Sequence, residues 1–149
     1  KVVIQTMNPE NYIFPMVEKH DFVSFFDKEI QHRSMHKYPP FSKMILIEVT
    51  SPKQVNVNNH YWKIYHYLNN ALNTTTSNVY IELLKPAPAL IYKIKNTFRM
   101  HIILKVMKTT GETLSFSEKL MFDLHEFIHT LKLKSTERVD IDVDPLSFY

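Results

Sequence analysis

Val139-Asp140-Ile141-Asp142-Val143-Asp144-Pro145 alternates apolar and acidic residues without a break, and a proline then stops it. Alternation at period two puts Val139, Ile141 and Val143 on one face and the three aspartates on the other, the pattern of a strand with one buried face. Such a strand needs neighbours. Working back along the chain, Met44 to Val49 alternates in the same way, with Ile45, Ile47 and Val49 on one side. Phe98 to Val106 reads as another strand, and Val79 to Leu84 as one more, broken by Pro86 and Pro88. Two helical periods lie between these runs. Val57, Tyr61, Ile64, Tyr65, Leu68 and Leu72 form one stripe; Leu120, Leu124, Phe127, Ile128 and Leu131 form the other. Ser115 with Glu118 reads as a capping box for the second helix; Ser51 with Gln54, or Asn56, starts the first. Asn73 to Asn78 and Thr109-Thr110-Gly111-Glu112 read as turns.

The order strand, helix, strand, strand, helix, strand predicts an α+β domain of the ferredoxin-like βαββαβ kind. Two helices would cover one face of a four-stranded antiparallel sheet. The other face would carry Glu48, Arg99, His101, Lys105, Asp140 and Asp142, open to solvent or a partner. The expected domain runs from 41 to 149. Before it, Lys1 to Thr6 reads as a strand and Pro9 and Pro15 as loop residues. A helix capped by Asp21 follows, carrying Phe22, Phe25, Phe26 and Ile30 and a Glu29–Arg33 pair, and it stops before Tyr38-Pro39-Pro40-Phe41. That turn is expected to pin the helix to the domain. The start at Lys1, followed at once by Val2-Val3-Ile4, reads as a piece of a longer protein.

Composition removes several chemistries. The chain of 149 residues has one glycine, Gly111, and no cysteine. A phosphate-binding or dinucleotide-binding glycine loop is excluded, as are disulfides, thiolate metal sites and a cysteine nucleophile. No run approaches the roughly 18 apolar residues of a membrane helix, so no membrane partner is expected. His125-Glu126-Phe127-Ile128-His129 matches the zinc-peptidase pattern H-E-x-x-H. On a helical wheel, however, His125 lies about 120° and His129 about 155° from the centre of the apolar stripe. Both point to solvent and nothing nominates a third ligand, so a zinc hydrolase is the least favoured of three readings. His32 and His36 repeat the spacing and read the same way. Asp140, Asp142 and Asp144 suit a hard cation in principle, but read better as an acidic strand face. No catalytic, cofactor or metal residues are expected.

The net charge of +3 is unevenly spread. From Glu82 to Glu112 no acid intervenes, while Lys85, Lys93, Lys95, Arg99, Lys105 and Lys108 stand there with Tyr92 and Phe98 among them. Cations bind phosphates and rings offer stacking platforms, so this stretch is the candidate nucleic-acid surface. Arg99, Lys93 and Lys95 are the first candidates for phosphate contacts, Lys85 the next, and Tyr92 the candidate stacking group. The competing reading is a module whose basic hairpin binds an acidic peptide.

Several blocks, in order, resemble the C-terminal end of the primosomal replication-restart helicase family PriA, also called primosomal protein N-prime. Ile4-Gln5-Thr6 with Asn8-Pro9 is similar to the last strand of the second helicase lobe, and the helix from Asp21 to Tyr38-Pro39-Pro40-Phe41 to its connector. Pro86-Ala87-Pro88-Ala89, Phe98-Arg99 with Ile102-Ile103-Leu104-Lys105, and Asp142-Val143-Asp144-Pro145 are similar to three blocks of the final domain. Lys85 stands where the family usually has glycine, and Asn96 near another usual glycine before the aromatic-Arg pair; asparagine tolerates positive φ, so that turn can survive the change. The resemblance implies that residues 1–40 end a helicase lobe and that 41–149 form a non-catalytic DNA-binding and docking domain. It implies a cytoplasmic parent that is an ATP-dependent 3′-to-5′ helicase, with ATP, magnesium and zinc bound by upstream parts. Its implied partners are single-stranded or branched DNA, the acidic tail of single-strand DNA-binding protein, and other primosome proteins.

Overall fold

The computed structural model describes residues 2–74, 80–85, 87–107 and 111–146. The chain divides into two compact units, Lys1–His36 and Lys37–Tyr149.

The first unit holds two helices, α1 (Ile13–Glu18) and α2 (Phe22–Met35). Asp21 caps α2 as expected, accepting from the Ser24 N–H at 3.0 Å, and Arg33 Nε meets Glu29 Oε1 at 2.7 Å. Glu29 also accepts from the Tyr12 hydroxyl at 2.9 Å, which ties α1 to α2. Residues 2–6 form no strand. An apolar run becomes a strand only when a neighbour takes its backbone groups, and no described strand pairs with this one. Pro15 sits in the first turn of α1, where a missing N–H costs nothing.

The second unit is α+β: a five-stranded antiparallel sheet with two helices. Its elements are β1 (Ser42–Ser51), α3 (Gln54–Asn73), β2 (Ile81–Leu83), β3 (Ala87–Ile94), β4 (Thr97–Met107), α4 (Gly111–Thr130) and β5 (Arg138–Val143). The order across the sheet is β2-β4-β1-β5, and β3 pairs with the other end of β4. The expected four strands are therefore five. Pro88 does not end the sheet: it lies in β3, an edge strand, where proline's missing N–H is tolerated. The register sets Ile45, Ile47 and Val49 opposite Leu104, Ile102 and Met100 on one side and Val143, Ile141 and Val139 on the other. Val57, Tyr61, Ile64 and Leu68 of α3, with Leu120 and Leu124 of α4, bury that face. Each such aliphatic side chain contributes about 1.5–3 kcal/mol by leaving water.

Helix starts differ from expectation. Lys53 is the N-cap of α3 and makes no side-chain cap; Ser51 Oγ instead accepts from the Lys53 N–H at 3.1 Å. Asn56 lies inside the helix, its side chain engaged elsewhere. α4 begins at Gly111, so Ser115 and Glu118 sit within the helix rather than at its cap. The turn expected over Asn73 to Asn78 falls largely outside the described residues, as do Thr109 and Thr110.

Two polar anchors close the unit. Asp144, at φ 54°, donates its N–H to the Met44 carbonyl at 2.7 Å. Its Oδ1 accepts from the Met44 N–H at 2.9 Å. One aspartate thus supplies both partners that a further strand residue would have given, just before Pro145 ends donation. The second anchor is Glu137, buried before β5. Its Oε1 takes Asn56 Nδ2 at 2.6 Å and Ser51 Oγ at 3.4 Å, and its Oε2 takes the Lys134 N–H at 3.0 Å. His60 Nε2 lies 3.1 Å from that Oε2.

Candidate nucleic-acid interface

β3 and β4 are joined by two residues, Lys95 and Asn96, both at positive φ (46° and 63°) between the paired Ile94 and Thr97. This is the two-residue hairpin turn whose twist matches its strands. Asn96 suits it, since asparagine tolerates positive φ; Lys95 occupies it at the modest cost a β-carbon brings there. The basic stretch is therefore a β-hairpin. A register shift between Pro88 and Lys93 bulges β3, which turns a strand edge and strengthens its twist.

The hairpin end carries the expected surface cations. Lys93 and Lys95 are exposed, and Lys85 is exposed just before β3. Lys93 Nζ lies 4.8 Å from the centre of the Phe98 ring, and Tyr92 packs against the same ring at 5.4 Å, tilted by 57°. Tyr92 is half-buried, with one ring side given to Phe98.

Arg99 and Lys105 are placed differently. Arg99 is 9% exposed and meets Glu48 Oε2 through Nε at 2.8 Å and through a terminal nitrogen at 2.5 Å. His101 Nε2 reaches the same oxygen at 2.8 Å. Lys105 is buried, with its ammonium 4.5 Å from the centre of the Tyr38 ring. The sheet face expected to be open thus has Arg99, His101 and Lys105 buried: the cross-strand neighbours Glu48 and His101 stand opposite each other, and Arg99, two residues along β4 from His101, closes the set. A buried guanidinium needs a carboxylate, and Glu48 is in register to supply it. Asp140 and Asp142 stay exposed on β5 while Asp144 turns back to Met44, so the three aspartates do not converge.

His125 and His129 are both exposed on α4, with their Nε2 atoms 3.1 Å apart. Among the described residues no group of three histidines or carboxylates is arranged to hold a metal ion, and with no cysteine the chain offers no thiolate zinc site. No helix among them is long and apolar enough to cross a membrane.

Sequence reading missed two features. One is the Glu137 anchor: burial alone pushes its carboxyl up, yet the Lys134 N–H, Asn56 and His60 outweigh burial and hold it down to about 2. The other is an aromatic groove along α3 around Trp62. A large ring one residue off the apolar stripe was the signal for it.

The fold is an α+β unit whose open antiparallel sheet carries a basic, aromatic hairpin at one edge. The family model for the primosomal protein N C-terminal domain matches residues 34–146, and the chain belongs to that family. Three proteins called replication restart protein PriA are among its relatives. The Borreliella burgdorferi protein is 29% identical over 98% of this chain, the Synechocystis protein 30% over 99%, and the Bacillus subtilis protein 28% over 73%. The chain spans 20%, 16% and 13% of their respective lengths. Among solved structures, a hydantoinase/carbamoylase family amidase from Burkholderia ambifaria aligns with 68% of this chain and 27% of its own, at 8% identity and a TM-score of 0.43. That likeness carries no argument about fold or activity.

Proposed function

We propose that this chain is a non-catalytic DNA-binding and docking domain of a replication-restart helicase. The observation that supports it best is the β3–β4 hairpin, which presents Lys93 and Lys95 beside the Tyr92–Phe98 ring pair in a segment without acids. Lys85 extends the same positive edge. Cations there neutralise phosphates, and Tyr92 offers the remaining side of its ring to a base. Arg99, paired with Glu48, acts in this reading by fixing the strand from which the hairpin projects. The strand order supports a ferredoxin-like topology whose edge strand is divided into β2 and β3. Residues 1–40 are read as the end of a helicase lobe and its connector, and 41–149 as the DNA-binding and docking domain. ATP, magnesium, zinc and 3′-to-5′ unwinding belong, in this reading, to the cytoplasmic parent.

The alternative is a module that takes an acidic peptide, such as the tail of single-strand DNA-binding protein, or another primosome protein. Its support is the apolar surface beside the lysines: Leu90, 75% exposed, with Ile91 and Ile94.

Fluorescence anisotropy with labelled single strands and forks, at two salt concentrations, tests the first reading. Lys93→Gln/Lys95→Gln is expected to weaken binding. On single strands it should also flatten the slope of log K against log salt by about 0.7 for each phosphate that the variant no longer neutralises. Unchanged affinity and slope in the double variant, with acidic-peptide binding abolished, would move the hairpin to the alternative.

A further inference from the structure

Trp62 is the chain's single tryptophan, and it stands 47% exposed on α3. The buried stripe of that helix is Val57, Tyr61, Ile64 and Leu68. Trp62 lies outside it and touches the core only through an edge-on contact with the Tyr61 ring at 5.5 Å. A lone exposed ring needs no explanation, but this one is not alone. Its indole stacks on His66, with ring centres 5.6 Å apart and planes 27° from parallel, and Tyr65 meets it edge-on at 5.7 Å. A cavity of about 760 Å³ opens beside them, with Asn59, Lys63, Tyr67 and Phe127 also on its lining. Tyr67 and Phe127 stack at 4.3 Å and 10°, joining α3 to α4 along the groove.

The charge is one-sided. No Asp or Glu occurs between Glu48 and Glu82, a stretch that holds Lys53, Lys63, His60 and His66. No carboxylate lines the cavity among the described residues. Glu137 is engaged by Asn56 and His60 nearer the start of α3, and Asp123 of α4, after burial, raises the phenol of Tyr67. A planar π-face, an ammonium and side-chain amides around one cavity are the groups that a nucleotide engages through base, phosphate and base edge. An apolar helix of a protein partner would leave Lys63 and the amides without use.

We infer that this groove is a second contact for single-stranded nucleic acid, with a base stacked on the Trp62–His66 pair and its phosphate at Lys63. The inference rests on the DNA-binding reading above but uses the helical face, independently of the hairpin. It extends the bound strand from the edge of the sheet to the helix layer.

The single tryptophan is its own probe. The 149-residue chain is titrated with unlabelled oligothymidylate while tryptophan emission is followed. Labelled-strand anisotropy is measured in parallel for wild type, Trp62→Ala, Trp62→Phe and Lys93→Gln/Lys95→Gln, with circular dichroism confirming that each is folded. Emission is expected to fall in step with anisotropy, and to fall also in the hairpin variant at higher strand concentration. Trp62→Ala is expected to weaken binding at least about fivefold, with Trp62→Phe recovering most of it. Strand binding with unchanged emission and a Trp62→Ala variant of wild-type affinity overturns the groove and leaves the hairpin reading standing. Emission that responds to protein concentration but not to strand assigns the groove to a second copy of the chain, and likewise overturns it. No strand binding at low salt overturns both readings.

Discussion

Replacing Glu137 by glutamine removes one charge and keeps the shape. The carboxylate is 6% exposed and takes donors from three parts of the chain: Ser51 at the end of β1, Asn56 and His60 on α3, and the Lys134 N–H before β5. Glutamine keeps one accepting oxygen but turns an amide donor toward groups that also donate. The size of the loss follows from how far the fold lowers this carboxyl. A carboxyl held at about 2 in the fold, against 4.5 ordinarily, carries about 3 kcal/mol of folding stability at neutral pH. The sign is that of a lowered acid: the contribution is complete above pH 4.5 and is lost as pH falls toward 2. Urea unfolding of wild type and Glu137→Gln, followed by circular dichroism from about pH 7 down to about pH 2.5, reads this directly. The variant is expected to be less stable by about 2–3 kcal/mol at neutral pH, with the gap closing through the acid range. Other carboxylates titrate in both proteins and cancel in the difference. A gap below about 0.5 kcal/mol at neutral pH, or one that stays constant as the pH is lowered, would refute the reasoning.

Three further outcomes follow from the same structure. Tyr61 is fully buried and its hydroxyl has no protein partner among the described residues, so Tyr61→Phe should raise the thermal midpoint, with a gain of about 1 kcal/mol; a lowered midpoint would show that the hydroxyl is satisfied. Asp144→Ala should cost about 1–2 kcal/mol in urea unfolding by stranding the Met44 N–H, while Asp144→Asn, which keeps the accepting oxygen and tolerates positive φ, should cost less. Lys95→Gly should stabilise the hairpin turn by up to about 1 kcal/mol in a thermal melt while reducing strand affinity, separating the backbone demand of that position from the use of its charge.

The core was legible because periodicity reports burial. Ile45-Ile47-Val49, Val139-Ile141 and the Val57-Tyr61-Ile64-Leu68 stripe all face the same interior that their spacing indicates, while Val143, at the end of β5, is half exposed. β3 was hidden because proline suppresses a strand reading, and nothing local says that Pro88 occupies an edge. The strand read over Lys1 to Thr6 failed for the opposite reason: strand residues were present, but among the described residues no strand pairs with residues 2–6. Charge was the hardest to place. Lys93 and Arg99 look equivalent in the sequence, and only the register, which brings Glu48 across from His101 and beside Arg99, buries one and leaves the other outside. Glu137 gave no local sign, since its partners lie up to 86 positions away.

The bond between Asp144 and Met44 spans 100 positions of sequence. β1 is made early in the domain but receives its second neighbour only when β5 arrives, so during synthesis one full side of that apolar strand stays unpaired until nearly the whole domain has emerged. An open edge of this kind recruits strands from other chains, and contacts of such sequence separation form slowly. A stop codon that removed residues 138–144 would therefore do more than shorten the protein: it would leave β1 as a permanent template for aggregation. The aspartate-valine-aspartate-proline block at the end of β5 is thus the latch whose arrival ends that exposure.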